Sequence, residues 1–131
     1  MGALLAVLIG GAIGGGLRLE LDAALPHTST GFPWDTLLIN VVGSLLLGIL
    51  VARVWPIVPE WVRAGLGPGF LGGFTTFSAV MVSMVTMAAD GEIVLALGYL
   101  AASLVLGFGA AALGLWIGRR PDAVPIVEVD E

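Results

Sequence analysis

Polar side chains inside apolar stretches are where this chain could do chemistry, because 58% of its residues are hydrophobic and only 11% are charged. Asn40 is followed one turn later by Ser44. Thr75, Thr76 and Ser78 follow the pair Gly72-Gly73, Ser83 and Thr86 come next, and Tyr99 and Ser103 stand four apart. These amides and hydroxyls are neutral groups that can donate a hydrogen bond to an anion. No Asp, Glu or His lies near the middle of any apolar stretch, and the chain has no lysine. Proton-coupled carriers use an intramembrane acid or base as their relay. A path lined by neutral donors and aromatics suits passive permeation of a small ion, and weighs against a pump, a proton antiporter or a membrane hydrolase. Without cysteine there is no disulfide, thiolate metal site or cysteine nucleophile. The single histidine, His27, reads as a solvated loop residue beside Pro26 and leaves little room for zinc or a Ser-His-Asp arrangement.

Residues 71–78, Leu-Gly-Gly-Phe-Thr-Thr-Phe-Ser, lie inside the uncharged run 64–89. Gly72 and Gly73 weaken a helix there, and three hydroxyls stand beside the weakened turn, so a break is expected. A break at membrane depth is tolerated only where its freed backbone groups face protein or a water-lined cavity. Asn40 is then either an interhelical hydrogen bond or an amide donor lining a path. Tyr99, Ser103 and Gly107 fall on one helix face as a narrow polar track. Met81, Met84 and Met87 recur every three residues and read as packing. Arg18, just ahead of Glu20 and Asp22, either snorkels to the interface or fixes a positive charge at the mouth of an anion path.

These groups need helices to hold them. A bilayer core takes roughly 20 apolar residues to cross, and the spans are expected at about 3–25, 34–55, 64–89 and 93–118. Trp34, Trp55, Trp61 and Trp116 fall at predicted ends, as interfacial anchors should. The first span lacks a basic leader and a cleavage site, and reads as retained. Short links at 26–33, 56–63 and 90–92 make neighbouring spans antiparallel and bring both termini to one side. The fold class is an all-α membrane protein. Its single four-helix domain covers 1–120, and an acidic tail over 121–131 is read as disordered.

Arg53, Arg63, Arg119 and Arg120 lie on the side of the termini and only Arg18 towards the other, which places both termini in the cytoplasm. Five arginines form no basic patch, and the net charge of −5 resides largely in the tail, so no nucleic-acid partner is indicated. Gly10/Gly14, Gly11/Gly15, Ser44/Gly48 and Ala110/Gly114/Gly118 are spaced to let helix backbones approach closely. So small a bundle has little interior of its own, and self-association or a partner subunit is expected.

Gly-Gly-x-x-Gly-x-x-x-Arg (10–18), Asn-x-x-Gly-Ser (40–44), Gly-Gly-Phe-Thr-Thr-Phe-Ser (72–78) and Tyr-x-x-x-Ser (99–103) occur in this order. Together they resemble the Fluc family of fluoride channels, also called CrcB proteins. The resemblance spans all four helices and excludes only the acidic tail; the third motif is specific and the first is not. It implies an antiparallel, dual-topology homodimer with two pores and passive fluoride export. It also implies a structural sodium ion at the dimer centre, on the backbone carbonyls of Gly72 and Thr75. Phe77 then matches a pore phenylalanine, and Asn40, Tyr99 and Ser103 match pore-lining donors. Thr76 and Ser78 belong to the same fluoride path, and Arg18 matches the vestibule arginine.

Two features depart from that pattern. Val80 stands where a second phenylalanine is usual, and the arginine bias is four to one where insertion in both orientations calls for almost none. Both would follow if the chain were one subunit of a heteromeric channel. The rival outside the family is a small multidrug-type four-span exporter, which needs an embedded glutamate; the candidate, Glu20, comes late in its span.

Overall fold

A computed structural model describes residues 1–25 and 31–119. His27, Arg120 and the expected tail over 121–131 lie outside the described residues. The described chain is all helical, with four helices long and apolar enough to cross a membrane: Gly2–Ala24, Trp34–Ile57, Glu60–Ala89 and Ile93–Gly118. The first is α1 (Gly2–Ala24). The second is α2 (Trp34–Ile49), prolonged by wider turns over Leu50–Val54 and a tight turn over Trp55–Ile57. The third comprises α3 (Glu60–Ala64), wide π turns over Gly65–Leu71, α4 (Gly72–Phe74) and α5 (Phe77–Ala89). The fourth is α6 (Ile93–Gly118).

The third helix starts four residues before the expected Ala64. Pro59 is extended, with φ −67° and ψ 161°, and Glu60 follows in the first turn, where a negative charge meets the positive end of the helix dipole. The wide turns surround Pro68, which has no N–H to complete an α turn, among the permissive Gly65, Gly67 and Gly69.

Helix pairing follows the small residues. A side chain at Gly10 or Gly14 would strike the backbone of the wide turns at Gly65 and Phe70, so α1 lies directly on that segment. Gly48 and Gly114 interlock α2 with α6 in the same way, each facing backbone of the other helix, and Gly118 extends the seam. A Cβ added at Gly11 or Gly15 would have room, 3.8 and 3.9 Å from the Gly69 and Gly73 carbonyls, but the backbone of both lies close under Gly73. The third span changes partner along its length: its first half packs on α1, whereas α5 packs on α6.

Leu37, Val80, Met87, Ala96 and Tyr99 form a small buried cluster where α2, α5 and α6 meet, with Met81 and Met84 packed against it. The methionines are therefore packing residues, as expected. A Schellman turn closes α5: Gly91 adopts φ 85°, its N–H donates to the Ala88 carbonyl, and the Glu92 N–H donates to the Met87 carbonyl at 2.8 Å. Trp34, Trp61 and Trp116 are exposed at helix ends. Trp55 differs from the expected anchor. Its ring lies inward, where a Cβ on Gly67 would come within 3.1 Å of it, and its indole nitrogen is shielded from solvent. Large apolar side chains such as Leu4, Leu8, Ile13, Val85, Val94 and Phe108 face outward, the surface of a chain whose solvent is lipid or another subunit.

Candidate functional site

The helical turns of the third span end at Phe74. Thr75 (φ −84°, ψ 152°) and Thr76 (φ −146°, ψ 119°) are extended, and helix resumes at Phe77. Asn40 of α2 meets this extended pair with both ends of its amide. Its Nδ2 donates to the Thr76 carbonyl at 2.9 Å, and its Oδ1 accepts the Thr76 N–H at 2.8 Å. The amide does for Thr76 what a neighbouring strand would do. One Nδ2 hydrogen remains beyond those used. The Gly43 position on the same helix lies against the Thr75 methyl and the Phe74 ring, so glycine there lets α2 approach the extended pair.

The clasp changes what the backbone carbonyls can do. In a continuous helix the Thr76 N–H would donate to the Gly72 carbonyl, but it is given to Asn40. The Ala79 N–H would donate to the Thr75 carbonyl, but it bonds Thr76 Oγ1 at 3.2 Å as the cap of α5. Gly72 and Thr75 thus both lose their helical donors to side chains. Gly72 is exposed and Thr75 half-buried. Carbonyls released this way at an interrupted helix are the hard oxygen ligands a small cation takes, so these residues fit the implied sodium ion. The Thr75 hydroxyl plays another part, donating back to the Leu71 carbonyl at 2.8 Å. Thr76 and Ser78 hydroxyls lie 3.0 Å apart.

Asn40, Gly72, Thr75, Thr76 and Phe77 share one open groove of about 420 Å³. Ser44 and Leu47 line its far end and also line a second groove of about 290 Å³, with Ser103 and Gly107. The two grooves follow one side of α2, which links the third-span motif to the lower part of the α6 track. Phe77 stands out from the surface at 66% exposure.

Tyr99, Arg18 and Val80 are elsewhere. Tyr99 points into the core with no exposure, and neither its hydroxyl nor that of Ser103 has a hydrogen-bond partner among the described residues. Ser83 and Ser103 are its hydroxyl neighbours. Arg18 lines neither groove, and its Nε is shielded without a hydrogen bond. Val80 is 2% exposed in the cluster around Tyr99, so its side chain packs within this chain. Sequence reasoning missed the wide turns at Pro68, although Gly-x-Gly-Pro-Gly (65–69) signals them, and missed Phe32, whose ring meets Tyr99 edge to face.

Residues 5–115 match the family model described as "CrcB-like protein, Camphor Resistance (CrcB)". The chain is 43% identical over 120 residues to the "Fluoride-specific ion channel FluC" of Chelativorans sp. (strain BNC1), covering 88% of this chain and 95% of that one. It is 40% identical over 124 residues to the protein of the same name from Hyphomonas neptunium (strain ATCC 15444), covering 92% and 98%. A third relative of that name, from Paracoccus denitrificans (strain Pd 1222), is 39% identical over 115 residues, covering 88% and 93%.

Proposed function

The chain belongs to the CrcB-like family, and we propose that it is a fluoride-selective passive channel that lets fluoride leave the cytoplasm down its gradient, as an antiparallel homodimer. The observation that carries this reading is the side of α2 where Asn40, Thr76, Phe77, Ser44 and Ser103 line adjoining grooves. Fluoride is small and strongly hydrated, so a pore must replace its water with donors. The remaining Asn40 hydrogen and the Ser103 hydroxyl are donors of that kind, the Tyr99 hydroxyl stands next to Ser103, and ring edges such as those of Phe77 carry partial positive charge. The Thr76 and Ser78 hydroxyls border the same path. Arg18 draws anions toward it from the vestibule.

Antiparallel pairing would set one protomer's exposed Gly72 and Phe77 against its partner. A sodium ion would be held there by the carbonyls of Gly72 and Thr75, supplying positive charge at the dimer centre. The released state of those two carbonyls supports this. The arginine bias favours a second arrangement, in which an oppositely inserted relative pairs with this chain.

Growth tests the reading. Cells lacking their own fluoride exporters should survive fluoride when they express this chain and should die when they express Asn40→Ala. Equal growth with both would leave the site without a role.

A further inference from the structure

We infer that Phe32, in the link before α2, is a positioning residue for ion passage: it holds the Tyr99 ring, and so aims the Tyr99 hydroxyl. This rests on the fluoride-channel reading. A tyrosine hydroxyl shut away from solvent calls for an acceptor. Tyr99 is fully buried, and the hydroxyls of Ser83 and Ser103 are near its own without closing a full hydrogen bond. Those contacts are loose, so the walls around the ring share in setting its orientation. Those walls are aliphatic: Leu37, Val80, Met87 and Ala96. Methionine adapts to a ring and imposes little on its angle.

The aromatic neighbour is Phe32. Its ring stands at 87° to Tyr99 with the centroids 5.3 Å apart, the perpendicular arrangement that ring quadrupoles favour. Val80 offers only two methyls at the place on α5 that could otherwise have supplied an aromatic. Phe32 is in turn held from behind. Gly31 adopts φ 72°, the Trp34 N–H donates to the Phe32 carbonyl at 3.0 Å, and Pro33 restricts the backbone between them. The Trp34 ring lies against Phe32 with centroids 4.3 Å apart. A groove of about 350 Å³ lined by Gly31, Ser83, Met87, Asp90 and Glu92 reaches the same cluster from this end. A link residue outside the spans thus controls a donor inside them.

The test is fluoride efflux from sealed liposomes carrying the full chain, with elution profile and thermal melting followed in parallel. Phe32→Leu keeps apolar bulk and removes the ring, and Phe32→Tyr keeps the ring. Phe32→Leu should lower efflux by up to about tenfold, the upper end of one aromatic contact, while Phe32→Tyr stays within about threefold of wild type. On a Tyr99→Phe background, Phe32→Leu should change efflux less than about twofold, because the group it aims is gone. Equal efflux for Phe32→Leu and wild type would overturn the inference. So would equal losses in Phe32→Leu and Phe32→Tyr, or an undiminished loss in the double variant. Absence of efflux from the wild-type chain would overturn the fluoride reading and this inference with it.

Discussion

Asn40 and Thr76, 36 positions apart, are joined by two hydrogen bonds of 2.9 and 2.8 Å that pair a side-chain amide with one residue's entire backbone polarity. That pairing lets the third span leave the helix at membrane depth. Lipid offers no substitute partner for a bare N–H or C=O.

Asn40→Ala should therefore destabilise the protein by about 2–4 kcal/mol, the sum of two unmade bonds to half-buried groups. It should also abolish fluoride efflux. Thermal melting in detergent beside an efflux assay checks both. Asn40→Asp should be no better, since it keeps the acceptor but loses the donor and brings a charge into the membrane. A stable, conducting Asn40→Ala would mean that the extended pair is held by something else.

Close backbone contact makes a contrasting pair of glycine variants. A Cβ at Gly73 would lie 2.6 Å from the Gly11 carbonyl oxygen and 3.0 Å from the Gly15 nitrogen, whereas a Cβ at Gly16 meets nothing within 4 Å. Gly73→Ala should cost about 1–3 kcal/mol through forced separation of α1 from the third span. Gly16→Ala should be neutral or stabilise by up to about 1 kcal/mol through helix propensity. Melting temperatures of the two proteins decide this, and similar values would contradict the packing described.

How much of this could be read before the structure depended on how local the cause was. The four spans follow from runs of apolar residues, and their ends came within a few positions. The start of the third was late because Glu60 and Arg63 are charged, although both belong to its opening helix Glu60–Ala64. Gly72-Gly73 and the following hydroxyls marked where helix gives way. That Asn40 would clasp Thr76 is a contact between distant segments, and no spacing rule reports it. Helical spacing put Tyr99 and Ser103 on one face correctly but could not tell that Tyr99 turns into the core and Ser103 lines a groove. Trp55 misled because tryptophan near a helix end is ordinarily an anchor. The wide turns at Gly65–Leu71 give its ring a place to pack.

The Schellman turn after α5 supplies a prediction independent of the ion path. Gly91 at φ 85° has open space around it, so a side chain there meets only backbone strain. Gly91→Ala should cost about 1–2 kcal/mol, and Gly91→Asn less, because asparagine tolerates this conformation. Efflux per folded protein should not change. A loss of efflux without a loss of stability would give the 90–92 link a functional part.

Sodium removal tests the released carbonyls. Exchange of all sodium for a large organic cation should lower the melting temperature and slow efflux, and returned sodium should reverse both. A cation held by the carbonyls of Gly72 and Thr75, as proposed, would be small and hard, and a large organic cation would not replace it. Unchanged melting and efflux in sodium-free buffer would remove the ion from the account.

The central claim is that neutral donors along α2 and α6 pass fluoride and refuse chloride. Purified chain should be sealed into liposomes loaded with equal fluoride and chloride, and both anions followed by ion-selective electrodes once a potassium ionophore releases the charge. The account predicts rapid fluoride efflux with chloride retained, and no efflux from Asn40→Ala. Fluoride and chloride leaving together, or neither leaving, would contradict it.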